Sequence, residues 1–150
     1  MIGVDLAKQV FQLHGSRSDG SVAFRRKVGR DQLLSVLKSY PRCVVVMEAC
    51  GGAHYWGREI QALGHTVKLV PPAYVKPFVK RQKTDAADAE AICEAASRPT
   101  MRFVAVKSAE KQACGLAIKV RDGLVRQRTQ TINMLRGHLT EYGLVVPQGT

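Results

Sequence analysis

The sequence predicts an α/β fold followed by a long helical extension, and three observations support this fold class. Short apolar runs bounded by turn residues, which are typical of strands, occupy the first 28 residues. Two units of a helix followed by a strand come next, within residues 30–70. Beyond a loop at 98–107, the chain from residue 108 to about 142 contains no proline, which favours one long helix or a helix pair.

The individual elements are predicted from hydrophobic periodicity and turn signals. Asp19-Gly20 marks a turn between strands, Gly64 suits a helix C-cap, and Thr84 suits a helix N-cap. The predicted strands span 2–7, 9–15, 21–28, 43–47 and 65–70, and the predicted helices span 30–37, 54–63, 85–96 and 108–142. Three meandering strands followed by helix, strand, helix and strand is the order of a ribonuclease H-like mixed five-stranded sheet with flanking helices. We expect a sheet domain over residues 1–100 and a helical, coiled-coil assembly region over residues 101–150.

Charge and cysteine content narrow the class of protein. The 150 residues include 23 Lys and Arg against 12 Asp and Glu, and this net charge of +11 favours a polyanionic partner such as nucleic acid. The four cysteines form no C-x₂-C pair, which argues against a zinc site or a redox motif. The sequence contains no run of about 18 apolar residues and no signal-peptide pattern. We expect a soluble intracellular protein without a membrane partner.

Four carboxylates are the strongest candidates for a chemical site: Asp5 in the first apolar run, Glu48 at the end of the 43–47 strand, and Asp85 and Asp88 on one face of a predicted helix. Carboxylates gathered in or beside apolar strands are oxygen ligands for hard cations such as Mg²⁺ or Mn²⁺. Two such ions can activate the attacking oxygen and stabilise the leaving oxygen of a phosphodiester. Each acid also has a structural interpretation, namely a solvated strand face for Asp5, a solvated strand end for Glu48 and a helix N-terminus for the Asp85–Asp88 pair.

Basic residues near the acids and along the long helix are candidates for nucleic-acid contacts, because they can neutralise phosphates. The first group is interleaved with Tyr74 and Phe78, whose rings could stack on bases. A solvated basic loop with buried aromatic rings is the alternative for this group. The candidates are Lys76, Lys80, Arg81 and Lys83 in the first group, and Lys119, Arg121, Arg126, Arg128 and Arg136 in the long helix.

Three smaller features have both a functional and a structural interpretation. The cluster Arg25-Arg26-Lys27 could contact a nucleic-acid backbone, although edge strands often carry such charges only to discourage aggregation. Gly51-Gly52 could cradle a phosphate, but a tight turn is the simpler interpretation. His54 lies two residues after Gly52 and is a weaker candidate for a site residue.

The long helix carries a narrow apolar stripe at three- and four-residue spacing from Ala113 to Leu139. The stripe is too long and too narrow to be covered by a domain of this size. An exposed apolar seam of this kind usually marks a partner helix. We therefore expect a homo-oligomer that assembles through residues 108–142.

Six sequence motifs occur together along nearly the whole chain. They are Met47-Glu48-Ala49-Cys50-Gly51, His54-Tyr55-Trp56, Val70-Pro71-Pro72 with the segment 74–78, residues 83–92 with their Asp-Ala-Ala-Asp motif, residues 126–130, and Leu135-Arg136-Gly137. Together they resemble the motifs of DEDD-type insertion-sequence transposases, the bridge-RNA-guided serine recombinases of prokaryotic mobile elements.

This resemblance implies a RuvC-like domain of ribonuclease H fold whose four acids match Asp5, Glu48, Asp85 and Asp88 and coordinate Mg²⁺ or Mn²⁺. It implies a coiled-coil region for assembly and RNA binding, with DNA and a guide (bridge) RNA as partners in the cytoplasm and nucleoid of a prokaryote. It also implies a carboxy-terminal transposase domain with a nucleophilic serine, a role that no serine of this sequence can be assigned. We expect a metal-dependent recombinase of which these 150 residues alone do not exchange DNA strands.

Three alternatives share part of this pattern. A Holliday-junction nuclease would share the fold and the four acids but would cut with water. A non-enzymatic RNA-binding and oligomerisation module would carry the acids for structural reasons. An ATPase of the actin-like fold would share the strand order but would need glycine-rich phosphate loops, which the first hairpin lacks.

Overall fold

In the computed structural model, a mixed five-stranded sheet lies at the centre of the fold. The structure describes residues 1–79 and 85–147, with side chains in the second range described from residue 87 onward. The strands are β1 (Ile2–Asp5), β2 (Val10–Ser16), β3 (Val22–Gly29), β4 (Val44–Glu48) and β5 (Thr66–Val70). They are ordered β3-β2-β1-β4-β5, with β1, β2 and β3 antiparallel and β4 and β5 parallel to β1. The predicted ribonuclease H-like sheet is confirmed.

The helices lie close to their predicted positions, with one addition. They are α1 (Leu33–Lys38), α2 (Ala53–Ala62), α3 (Pro72–Val75), α4 (Asp85–Ala96) and α5 (Ala109–Thr140), and a 3₁₀ turn at Lys76–Phe78 follows α3. The sequence predicts no helix at α3, because Pro71-Pro72 is interpreted only as the end of β5. Pro72 is the first residue of α3. Its fixed φ suits a helix there, and an N–H at this position would have no partner within the helix, so its absence costs no hydrogen bond.

The two faces of the sheet carry different helices. One face packs against α1 and α2, and its core includes Val4, Met47 and Ile60. The other face packs against α4, where Val46 and Ile92 belong to a second buried cluster. Burial on both faces explains why the central strand β4 is a continuous apolar run.

The segment that follows α4 runs along β5. The backbone N–H of Val104 donates to the carbonyl oxygen of Leu69 at 2.8 Å, in an isolated antiparallel bridge. The Arg58 guanidinium donates to the carbonyl oxygen of Lys107 at 2.8 Å, which ties the same segment to α2. Accordingly, the chain divides into two compact units, Met1–Ser108 and Ala109–Thr150.

The second unit contains one continuous helix, α5, so the helix-pair alternative is not realised. Its end is a Schellman motif, in which Gly143 has φ +74, Gly143 N–H donates to Thr140 O and Leu144 N–H donates to Leu139 O. Whether α5 takes part in a coiled coil stays a prediction. Within residues 1–79 and 85–147, no helix is both long enough and apolar enough to cross a lipid bilayer.

Candidate functional site

Strand register places Asp5 and Glu48 side by side. In the parallel pair of β1 and β4, Gly3 lies opposite Val46 and Val4 lies opposite Met47, so the next position along the register joins Asp5 and Glu48. Both acids are half-buried at the carboxyl ends of their strands. Gly3 and Val46, two residues before Asp5 and Glu48, face α4. Since side chains alternate along a strand, Asp5 and Glu48 also point to the α4 face of the sheet.

Helix α4 lies unusually close to β1, and Gly3 makes this approach possible. A Cβ atom on Gly3 would lie 2.5 Å from the carbonyl oxygen of Ala89 and 2.6 Å from the sulfur of Cys93. This contact brings the first turns of α4, which contain Asp85 and Asp88, towards the end of β1. The glycine is a positioning residue that is not among the site residues predicted from the sequence. A glycine inside an otherwise apolar strand was the available signal, because it often marks a close backbone approach.

Three of the four predicted acids line one concavity of about 490 Å³. Its lining consists of Asp5, Glu48 and Asp88 with Pro72, Val75, Lys76 and Val79. Asp85 belongs to α4 one turn before Asp88, and its side chain lies outside the described residues. Among the side chains that the structure describes, no three His, Cys, Asp or Glu groups lie close enough together to hold an ion as they stand.

Asp5 and Glu48 create a negative potential near the end of β4. Burial raises the pKa of the Cys50 thiol, and the negative charges of Glu48 and Asp5 raise the pKa further. The thiol therefore experiences the combined negative potential of the two acids. Neighbouring carboxylates repel each other when both are ionised, and a divalent cation relieves that repulsion. The donor set, which consists of carboxylate oxygens, suits a hard ion such as Mg²⁺ or Mn²⁺.

The predicted basic residues of the first unit are described only in part. Lys76 is exposed and lines the concavity with the acids. Lys80, Arg81 and Lys83 lie outside the described residues. Tyr74 is exposed, whereas Phe78 is half-buried with the Arg98 guanidinium 5.4 Å from its ring centroid.

The predicted basic residues of α5 differ in their solvent exposure and in their polar contacts. Lys119, Arg126 and Arg128 are exposed. Arg121 is exposed too and forms an ion pair with Asp122 at 3.3 Å. Arg136 is half-buried and donates to the carbonyl oxygen of Pro147 at 2.9 Å.

Gly52 and the nearby His54 have structural roles. Gly52 is the N-cap of α2 and has φ +88. This left-handed backbone conformation is one that glycine adopts more easily than other residues, so Gly52 fits a tight turn. Nδ1 of His54 accepts a hydrogen bond from the backbone N–H of Lys107 at 3.2 Å, which anchors the segment along β5.

Comparison with known proteins identifies a protein family that this chain matches. The model of the DEDD transposase family of the IS110 type, described as "Transposase", matches residues 2–144. A Pseudomonas aeruginosa protein named "Probable family 20 transposase" is 57% identical over 96% of this chain and 43% of its own length. The transposase for insertion sequence element IS1328 of Yersinia enterocolitica is 45% identical over 99% of this chain and 45% of its own length. The transposase for IS1111A of Coxiella burnetii is 48% identical over 99% of this chain and 41% of its own length.

A solved structure of T. thermophilus RuvC in complex with a Holliday junction substrate is also similar, with a TM-score of 0.47 and 14% identity over 69% of this chain and 98% of that chain. The chain spans less than half the length of these three curated relatives. The family model, in contrast, covers almost all of the chain. The chain therefore belongs to the DEDD family of insertion-sequence transposases.

Proposed function

We propose that residues 1–108 form the metal-dependent, DNA-acting domain of an insertion-sequence transposase, with Asp5, Glu48, Asp85 and Asp88 as ligands of Mg²⁺ or Mn²⁺. The observation that carries this proposal is the convergence of Asp5, Glu48 and Asp88 on one concavity at the carboxyl edge of the sheet. Acids from two strands and one helix are held there by backbone pairing and helix packing. Such rigid supports suit a site that must keep its ligands in position.

Each residue of the proposed site has a distinct task. Asp5 and Glu48 present oxygen ligands from neighbouring strands, and Asp88 with Asp85 presents them from α4. When bound, the ions would supply Lewis-acid stabilisation of the oxygens that change charge during phosphodiester displacement. Lys76, at the rim, would neutralise a phosphate of the bound strand. Val75 and Val79 contribute an apolar part of the lining beside the acids.

Finer features of the function rest on the family resemblance. We propose that α5 binds guide RNA through its basic residues and assembles the protein into a homo-oligomer through residues 108–142. We also propose that strand exchange needs the carboxy-terminal domain with the nucleophilic serine, and that the protein acts in the cytoplasm at the nucleoid. The exposed basic and apolar side chains of α5 support a partner-binding role for this helix.

Metal binding by the 150-residue chain tests the site. We expect Mn²⁺, followed by calorimetry and by its electron paramagnetic resonance, to bind wild type and to bind Asp5→Asn or Glu48→Gln on the order of tenfold more weakly or worse. Asp122→Asn removes an exposed acid of α5 and is the control that should leave binding unchanged. Equal Mn²⁺ affinity in wild type and Asp5→Asn, together with RNA binding that ignores metal, would favour the non-enzymatic RNA-binding module.

Salt dependence tests the nucleic-acid contacts. Affinity for DNA should fall by roughly one log unit per log unit of salt for each phosphate neutralised. Lys76→Ala should reduce the steepness of this dependence, whereas Lys38→Ala, an exposed lysine at the end of α1, should not. A flat salt response of the wild-type chain would contradict binding through phosphate neutralisation.

A further inference from the structure

The three consecutive basic residues of β3 occupy three different settings. The Arg25 guanidinium forms an ion pair with Glu90 of α4 at 2.7 Å, so Arg25 lies on the α4 face of the sheet. Arg26 lies on the opposite face, because Phe24 and Val28 on either side of it pack into the core beneath α1 and α2. Lys27 is exposed and shares the α4 face with Arg25, two residues nearer the end of β3 where the acids are.

The sheet register connects Lys27 to the acids. Asp5 pairs with Gln12 across β1 and β2, and Gln12 pairs with Lys27 across β2 and β3. Lys27, Gln12, Asp5 and Glu48 therefore form one row across four strands, on the α4 face and at the edge of the sheet where Asp5 and Glu48 end their strands. Two strand spacings place the Cα atom of Lys27 about 10 Å from that of Asp5. The four-carbon stem of lysine can cover much of this distance.

We propose that Gln12 and Lys27 form a phosphate-binding extension of the acid site, so that the nucleic-acid strand at the acids continues across β2 and β3. This inference rests on the proposed metal-dependent, DNA-acting function of the acids. The ammonium group of Lys27 binds a phosphate next to the one held at the acids, and the Gln12 side-chain amide donates a hydrogen bond to the strand between them.

Electrostatic repulsion between the acids and a phosphate supports the proposed role of Lys27. A phosphate approaching a cluster of carboxylates is repelled by them. The lysine stem can bring the ammonium group of Lys27 closer to the acids than the Cα atoms are, to a separation comparable with the Debye length of about 8 Å at physiological salt, where it offsets part of this repulsion. Arg25 cannot serve in the same way, because Glu90 already engages its guanidinium. Protection of the sheet edge by charge is the alternative explanation for Lys27, but such protection applies equally to Arg26 on the other face.

The face difference between Lys27 and Arg26 provides the matched control. Both are exposed cations at consecutive positions of the same strand, and only Lys27 shares a face with the acids. The experiment measures the fluorescence anisotropy of a fluorescein-labelled 30-nucleotide single-stranded DNA with the 150-residue chain, in Ca²⁺ and in EDTA. Lys27→Ala should weaken binding in Ca²⁺ roughly three- to tenfold and should have less effect in EDTA. Arg26→Ala should change affinity on the order of twofold or less in either condition.

Further variants separate a lost contact from a damaged fold. Lys27→Arg keeps a cation and should retain most of the Ca²⁺-dependent affinity, and Gln12→Leu, which keeps the apolar stem, should lose less than Lys27→Ala. In an Asp5→Asn background, Lys27→Ala and Arg26→Ala should become equivalent. Equal losses from Lys27→Ala and Arg26→Ala in the wild-type background, or a Lys27→Ala loss of the same size in EDTA, would overturn this inference alone. Unchanged Ca²⁺ dependence in Asp5→Asn would instead overturn the proposed function on which the inference rests.

Discussion

Residues 1–108 and residues 109–147 hold their side chains in position in different ways. In the first unit, strand register and a helix packed on Gly3 bring three acids to one concavity. In the second unit, none of the residues of α5, all of which the structure describes, is buried. Leu116, Leu124 and Leu135 are 60%, 60% and 57% exposed. Most helices in proteins depend on packing of an apolar face, and for this reason we propose that α5 packs against a partner.

This difference predicts opposite responses to substitution in the two units. In the first unit, a change of one acid should alter the proposed chemistry and leave the core intact, because Asp5 and Glu48 are half-buried at strand ends rather than inside the apolar clusters. In the second unit, a change of an apolar side chain should alter the proposed assembly, because none of the residues of α5 is buried in a core.

The largest expected effect is the loss of strand cleavage on removal of one acid. In a full-length transposase that contains this chain, Asp5→Asn should lower metal-dependent DNA strand cleavage at least about a hundredfold, because the amide is a poor ligand in place of a carboxylate. The melting temperature should change little. The control, Asp122→Asn in α5, should keep full cleavage activity. Cleavage by Asp5→Asn at the wild-type rate would contradict the role of the acids.

Assembly through α5 is the next expected effect. By sedimentation, the wild-type chain should form a dimer or larger oligomer, and Leu116→Glu with Leu124→Glu should raise its dissociation constant by about two orders of magnitude or more. Each leucine buried at an interface contributes about 1.5–3 kcal/mol, and a charge in its place adds a desolvation cost. Gln130→Glu introduces the same charge at an exposed polar position and should assemble normally. A wild-type chain that remains strictly monomeric at high concentration would refute assembly through α5.

A smaller effect is expected from the close approach of α4 to β1. Gly3→Ala should lower the free energy of unfolding by about 1–3 kcal/mol, because the added methyl overlaps Ala89 and Cys93 and α4 must shift. Since α4 carries Asp85 and Asp88, Mn²⁺ affinity should fall as well. Denaturant titration and calorimetry measure the two quantities. Unchanged stability would show that α4 does not pack on β1 as closely as described.

The smallest expected effect comes from a glycine of the second unit. A Cβ atom on Gly123 would meet no atom within 4 Å. Gly123→Ala should therefore stabilise α5 by about 0.5–1 kcal/mol, because alanine loses less backbone entropy than glycine in a helix. Circular dichroism at helical wavelengths during thermal melting measures the gain. A loss of stability would contradict an open surface at this position.

The sequence predicts the sheet and α4 well, because their signals are local. Apolar runs between turn residues locate the five strands, and the predicted span of α4, 85–96, matches the observed helix. Acids at strand ends and on the first turns of this helix are expected to meet, since the ribonuclease H-like order brings those ends together. The membership of all four acids, Asp5, Glu48, Asp85 and Asp88, in a metal site stays a prediction.

Other features depend on contacts between distant residues, so the sequence does not indicate them. The alignment of Lys27 with Asp5 requires the register of two antiparallel strand pairs, and a shift of one residue would move Lys27 to the other face. The pairing of Val104 with Leu69 is a single bridge, which has no periodic pattern to detect. Helix α3 is only four residues long, too short for a periodic pattern to emerge.

Anomalous diffraction from crystals of the 150-residue chain soaked in Mn²⁺ tests the central claim most directly. We predict one or two peaks inside the concavity lined by Asp5, Glu48 and Asp88, with carboxylate oxygens as ligands and Asp85 completing the set. Two ions, if present, should lie about 4 Å apart. A peak elsewhere with none at these acids, or a separation of more than about 10 Å between the carboxylates of Asp5 and Asp88, would contradict the proposed site.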